Sequence, residues 1–149
     1  MKKTILALAV ILTVGLTSAF AKTNEDISQS ALASFKTEFA GAKNVSWQQA
    51  KDYAKVTFTL NDQVMYAYYS HESNELMAVV RNILSDQLPI NLASGLKKDF
   101  SDRWISGLFE VAKQDHTSYY ATVEDANEML VLKSINFNEW TVYKRTKKM

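Results

Sequence analysis

The chain contains no cysteine, one proline, four glycines and two histidines, and each scarcity excludes a class of structure or chemistry. Without cysteine there can be no disulfide, thiolate metal site, cysteine nucleophile or lipid-modified cysteine anchor. The few isolated glycines cannot build a phosphate-cradling or dinucleotide-binding loop. The domain must therefore be held together by packing, for which three Trp, seven Tyr and seven Phe are an adequate supply.

The N-terminus has the three parts of a secretory signal peptide. Two lysines precede an apolar run, and Ala19-x-Ala21 offers the small side chains that a signal peptidase needs. The apolar run is too short for a comfortable membrane span, and polar residues follow it, which argues against a retained anchor. We therefore expect residues 1–21 to be removed after Ala21. The mature chain, residues 22–149, is then expected in the periplasm or secreted, without stable membrane insertion.

Length and charge bound the mature chain further. Removing the signal leaves 149 − 21 = 128 residues, which is enough for one domain with a core. Lys2 and Lys3 leave with the signal, so 17 − 2 = 15 basic residues face 16 acidic ones. A net charge near zero gives no electrostatic footprint for nucleic acid, so we expect no nucleic-acid partner.

The first half of the mature chain changes from a helical to a strand period. Thr23-x-x-Asp26 is a possible capping box, and Ile27, Ala31, Phe35 and Phe39 are spaced four apart before Gly41, which predicts a helix over about 24–40. Alternating segments then predict strands near 45–47, 54–60, 64–69 and 75–81, with a turn at Asn61-Asp62.

The same order returns after Pro89. Leu92, Leu96 and Phe100 have helical spacing, and alternating segments follow near 104–113, 118–124, 128–134 and 139–146. Residues of the two halves also match at shifts that drift from 61 to 64, with Arg81 and Arg145 among the identities. The sequence predicts an α+β fold of two tandem α-β-β-β-β units, residues 24–84 and 89–149. Together they form one antiparallel sheet of about eight strands, with two helices packed on one face.

The core and turn residues resemble a known family. A helix with Phe-x-x-x-Phe is followed by Val45-x-Trp47, by Ala54-Lys-Val-x-Phe58 and by Tyr66-Ala-Tyr-Tyr69 before a polar turn. This arrangement resembles the β-lactamase-inhibitor-like, PepSY-like family of exported bacterial proteins over essentially the whole mature chain. Asn74 stands where the family usually has a turn glycine. The resemblance implies two tandem α/β units, one antiparallel sheet and a periplasmic location, and it implies no established activity.

No residue pattern commits the chain to a reaction. His71 and His116 both fall in predicted turns, and zinc needs a second imidazole one helical turn away. The acidic run Glu124 to Glu128 lacks the glycine and the spacing of a calcium loop. We therefore expect no catalytic residue, metal site or cofactor, and a protein that is not an enzyme. An uncharacterised hydrolase remains a distant alternative.

Strand alternation predicts instead a face of the sheet that the helices leave to solvent. Tyrosine and arginine are enriched in binding hot spots, although tyrosine also favours exposed strands when nothing binds. The side chains expected on this face are Tyr53, Tyr69, Arg81, Tyr120, Tyr143 and Arg145. The favoured hypothesis is an exported, non-catalytic binding module that engages or inhibits another envelope or secreted protein, such as a peptidase. The alternative is a small-molecule or peptide binder with a pocket between sheet and helices.

Overall fold

The computed structural model describes residues 27–149, which form one antiparallel sheet and two helices. The helices are α1 (Gln29–Glu38) and α2 (Ile90–Asp99), and a 3-10 turn (Ser85–Gln87) precedes α2. The strands are β1 (Lys43–Gln49), β2 (Tyr53–Leu60), β3 (Gln63–Ser70), β4 (Leu76–Asn82), β5 (Trp104–Ala112), β6 (Thr117–Glu124), β7 (Glu128–Ser134) and β8 (Thr141–Lys147). They pair in chain order from β1 to β8. The predicted α+β architecture is confirmed.

Helix α1 begins later than the sequence suggested. The Ser28 hydroxyl accepts a hydrogen bond from the Ala31 N–H at 3.1 Å, so Ser28 is the N-cap and the start expected at residue 24 is wrong. The proposed capping box at Thr23, like the signal peptide over residues 1–21, lies outside the described residues. Beyond the helix, Gly41 has a φ of 87°, a conformation that glycine adopts without steric cost.

Aromatic side chains fix α1 to the first half of the sheet. The ring of Phe35 lies 5.5 Å from Trp47 and 5.0 Å from Phe58, both in edge contact, and Phe39 lies 4.7 Å from Phe58. Edge-to-face pairs at these distances add to the stabilisation from buried area. Trp47 and Phe58 therefore lie under α1, which fixes the helix-facing side of β1 and β2.

Helix α2 covers the second half of the sheet in the same way. Leu92 and Leu96 pack on Leu108, Ala121 and Leu132, and all five side chains are buried. The segment before β8 is bound to α2, because the Trp140 indole N–H donates a hydrogen bond to the Leu92 carbonyl oxygen at 2.9 Å. Within residues 27–149, neither helix has the length and apolar content that crossing a membrane would require.

A two-residue turn sets the register of the β2–β3 hairpin. Asn61 and Asp62 have φ of 50° and 61°, the pair of left-handed residues that a type I′ turn requires. Leu60 therefore faces Gln63, and each step away from the turn keeps that pairing. Asn74 also has a positive φ, 59°, so asparagine does take the backbone conformation for which glycine would be the usual choice.

The sheet face that points away from both helices, called here the open face, contains a core of its own. Ala78, Val80, Phe109, Val111 and Tyr120 form a buried cluster there, and none is more than 9% exposed. No element among the described residues covers this cluster. The cluster gives the open face an apolar centre formed by β4, β5 and β6.

Candidate binding face

Three of the six residues expected on the open face lie there. Tyr53 is opposite Ser70 and its ring contacts that of Tyr68 at 5.5 Å. Tyr120 is stacked on its β5 neighbour Phe109, with ring centroids 4.9 Å apart and planes within 2°. Tyr143 meets Tyr120 edge-on at 5.9 Å and is half exposed. The open face is therefore lined by aromatic rings over much of its width.

The placement of Tyr69 on this face was wrong. The hairpin register puts it opposite Ala54, beneath α1, where it is fully buried. Its hydroxyl donates to Glu38 Oε2 at 2.9 Å, and burial, with this hydrogen bond, raises its pKa far above the usual tyrosine value. Successive strand residues alternate in face, so an error of one residue in register exchanges the two faces.

The two arginines expected on the open face also lie on the helix side. Arg81 is opposite Met65 and binds both oxygens of Glu110 across the β4–β5 pair, at 2.9 and 3.2 Å. The hydrogen bond that Arg81 donates to Glu110 raises the pKa of Arg81. Arg145 is opposite Leu130 and holds Glu128 at 2.6 Å. These side chains form structural ion pairs.

A bulge explains why Tyr143 and Arg145, two residues apart, end on different faces. The pairing of β7 with β8 shifts between Val131, opposite Lys144, and Leu132, opposite Val142. The shift inserts Tyr143 as an extra residue on the open face, whereas the regular alternation assumed for β8 kept it on the side of Arg145.

Four aromatic side chains of the open face were not among the predicted site residues. They are Tyr66 and Tyr68 on β3, which face Thr57 and Lys55, and Phe109 and Trp104 on β5, of which Trp104 is opposite Glu124 at the end of the face. The positions of Tyr66 and Tyr68 could have been predicted from the Asn61-Asp62 turn. A two-residue turn fixes the pairing of β2 with β3 and therefore which β3 residues share a face with Tyr53. The sequence around Phe109 does not show which face it occupies, because Leu108 beside it is also apolar and is buried on the opposite face.

Lysines stand beside the aromatic rings. The Lys55 ammonium lies 4.6 Å from the Tyr66 ring centre, and Lys133 lies 5.5 Å from Tyr120 and 5.6 Å from Tyr143. Ring faces attract cations at these distances. Burial lowers the pKa of Lys55. No carboxylate of the described residues forms an ion pair with Lys55 or Lys133.

The two histidines and the acidic hairpin act as structural groups. His71 Nε2 is 2.9 Å from the Ala50 carbonyl oxygen, and His116 Nδ1 is 2.6 Å from Asp115 Oδ1. Arg103 binds Asp125 at 3.0 Å and Glu128 at 2.6 Å, and its hydrogen bond lowers the pKa of Glu128. Within residues 27–149, no three His, Asp or Glu side chains are grouped closely enough to hold a metal ion.

Solved structures share this architecture at low sequence identity. A DUF2874 family protein from Bacteroides uniformis superposes with a TM-score of 0.71 at 12% identity, over 80% of this chain and 88% of its own. A BLIP-like protein from Bacteroides fragilis gives 0.69 at 11% identity, over 80% and 85%. The fold is BLIP-like. A candidate periplasmic protein from Bacteroides eggerthii gives 0.70 at 15% identity, over 80% and 88%.

The TM-scores of these superpositions show a shared fold, and sequence identities this low carry nothing about activity. No family model and no curated protein matches the sequence. The resemblance drawn from the core and turn residues is confirmed at the level of the BLIP-like fold. The tandem repeat inside residues 22–149 remains a prediction, although a helix followed by four strands does occur twice along the described chain.

The BLIP-like fold also leaves a cleft on the helix side. It lies between α1 and the edge strand β1, encloses about 500 Å³ and is lined by Leu32, Phe35, Lys36, Phe39, Ala40, Gly41, Ala42, Val45 and Trp47. Its size falls within the range of small-molecule sites, roughly 300–1,000 Å³. Lys36 is the one ionisable side chain in the lining.

Proposed function

We propose that this protein is an exported, non-catalytic binding module that engages another envelope or secreted protein through the open face of its sheet. The observation that carries the proposal is a sheet face lined by aromatic rings and by two lysines that form no ion pair with any carboxylate of residues 27–149. Aromatic side chains such as tyrosine are enriched in binding hot spots because they bury large areas while their polar ends remain satisfied. The face extends across several strands, which suits a protein partner better than a small ligand.

Export is part of the proposal and rests on residues 1–21. The two lysines, the apolar run and Ala19-x-Ala21 support removal of this segment and release of residues 22–149 into the periplasm. N-terminal sequencing of the protein from a periplasmic fraction tests it. The expected first residue is Lys22, and a mature form that still carries the apolar run would contradict export as a free domain.

Site-specific crosslinking tests the open face directly. A photoreactive phenylalanine is placed at Tyr143, which is 49% exposed on the open face, and separately at Phe137, which is 44% exposed and contacts Tyr119 on the helix side. We expect one envelope protein to be crosslinked from position 143 and not from the matched position 137. Equal crosslinking from both, or none from 143, would contradict the proposal.

Inhibition is the narrower form of this proposal. If the captured partner is a peptidase or another envelope enzyme, adding the purified module is expected to lower its activity. Tyr143→Ala should weaken that effect, while Phe137→Ala should leave it unchanged. An activity that stays constant at saturating module would leave binding without inhibition.

The cleft beneath α1 favours a second function, binding of a small molecule or peptide. Its aromatic lining could hold an apolar group, and Lys36 could pair with an anionic one. Native mass spectrometry of the protein from the periplasm is the test. A bound mass that disappears in Val45→Trp, which would fill the cleft, supports this second function, and a ligand-free spectrum contradicts it.

A further inference from the structure

The charged side chains of the two sheet faces differ in whether they form ion pairs. On the helix side each arginine of the sheet pairs with a carboxylate, as Arg81 does with Glu110 and Arg145 with Glu128. At the end of the open face Glu124 is held by Lys148 at 2.6 Å. Lys55 and Lys133 lie against tyrosine rings and form no ion pair with a carboxylate of residues 27–149. Within the described residues the open face therefore presents cations that are not neutralised.

The setting of these lysines makes them receptive to a carboxylate. Each is partly buried on an aromatic-lined surface, where charges interact more strongly than in open water. The tyrosine rings restrict where each ammonium can lie, which reduces the ordering cost when an anion binds. A carboxylate of the partner would supply the counter-charge that residues 27–149 do not provide there.

We propose that the partner docks an acidic segment on the open face, with one carboxylate at Lys55, a second at Lys133 and apolar side chains between them on the aromatic cluster. This inference rests on the proposed function and specifies the chemistry of the partner. Lys55 is on β2 and Lys133 on β7, five strand spacings apart, or about 24 Å across the sheet at about 4.8 Å per spacing. The strand pairings also offset the two lysines by four residues along the strands, or about 13 Å, because Lys55 is level with Ala78 and Lys133 with Asn82. The two positions are therefore up to about 27 Å apart, which an extended segment spans with about eight residues.

The test uses a phage-displayed library of random linear dodecapeptides, selected on the immobilised mature protein. We expect enriched clones to contain Asp and Glu above their frequency in the unselected library, often as two acids up to about eight residues apart. A synthetic enriched peptide should bind roughly fivefold more weakly to Lys55→Gln and to Lys133→Gln, and less tightly at high salt. Lys98→Gln, an exposed lysine of the last turn of α2, is the matched control and should bind normally.

The outcomes separate the two proposals. Enriched peptides without an acidic excess, whose binding is lost in Tyr143→Ala and kept in both lysine variants, would overturn the acidic segment and leave the open face as a binding site. Peptides that bind all these variants equally, or a selection that enriches nothing, would count against both proposals. Circular dichroism melting of each variant shows that a loss of binding is not a loss of folding.

Discussion

Phe109→Ala should destabilise the protein as much as a mutation under a helix, even though neither α1 nor α2 lies over this side chain. Phe109 is 4% exposed in the cluster of the open face and is stacked on Tyr120. Truncating a buried phenylalanine to alanine costs about 3–5 kcal/mol, of which about 0.5–1.5 kcal/mol comes from a ring pair of this kind. For a domain of this size, about 4 °C is lost per kcal/mol, so the melting temperature should fall by about 12–20 °C.

Thermal melting and urea unfolding of three variants provide the assay. Phe58→Ala, which truncates a fully buried ring under α1, is the positive reference, and we expect Phe109→Ala to match it. Tyr143→Ala removes a half-exposed ring from the same open face and should cost less than about 1 kcal/mol. A double-mutant cycle between Phe109 and Tyr120 should give a coupling of about 0.5–1.5 kcal/mol.

A Phe109→Ala protein that melts within 2 °C of the parent would refute the reasoning. It would mean that the cluster is solvated, so that the open face has no core of its own. Among the tyrosines first expected on this face, alanine substitution should leave folding nearly intact only at Tyr143, because Tyr69 and Tyr120 are 0% and 9% exposed.

Three further predictions follow from single contacts. Tyr69→Phe removes the buried hydroxyl's hydrogen bond to Glu38 and should lower the free energy of unfolding in urea by about 1–2 kcal/mol; no change would mean that the bond is not formed in solution. Burial raises the pKa of Tyr68 to about 12, whereas the unfolded value is about 10, so the folded chain keeps a proton that the unfolded chain has lost. The free energy of unfolding should therefore fall as the pH rises from about 10 to about 12, less steeply in Tyr68→Phe, and an identical pH profile would contradict the shift. Gly41→Ala should cost about 1–2 kcal/mol through the positive φ alone, since open space surrounds the position, and Gly41→Asn should cost less when both are measured by thermal melting.

Strand β2 could be predicted from the sequence because its apolar and polar residues alternate regularly. Ala54, Val56 and Phe58 are buried and the residues between them are not, so period two identified both the strand and its helix-facing side. The helical spacing of Phe35 and Phe39 did the same for α1. Only its start was missed, because Ser28 rather than a residue near 23 accepts the capping hydrogen bond.

For the other strands, the sequence did not show which side chains face the helices and which lie on the open face. In β3, aromatic residues stand on both sides, with Tyr66 and Tyr68 on the open face and Tyr69 under α1, so alternation alone does not choose. The central strands are buried on both faces, as Leu108 and Phe109 show in β5, and a continuous apolar run carries no face information. The bulge at Tyr143 arises from pairing with β7, a tertiary event that the local sequence of β8 does not record.

The order of the strands has a kinetic consequence. Every strand pairs only with its neighbours along the chain, so most of the sheet forms by closing turns of a few residues. Such a topology has low contact order for a β-rich protein and should fold faster than a Greek-key sandwich of equal size. The exception is the pairing of β4 with β5, which must wait until the chain between Asn82 and Trp104, with α2 inside it, has closed. We therefore expect the two halves to form first and to pair through β4 and β5 as the last step of folding. In that step Arg81 would form its ion pair with Glu110, and Phe109 would join the buried cluster of the open face.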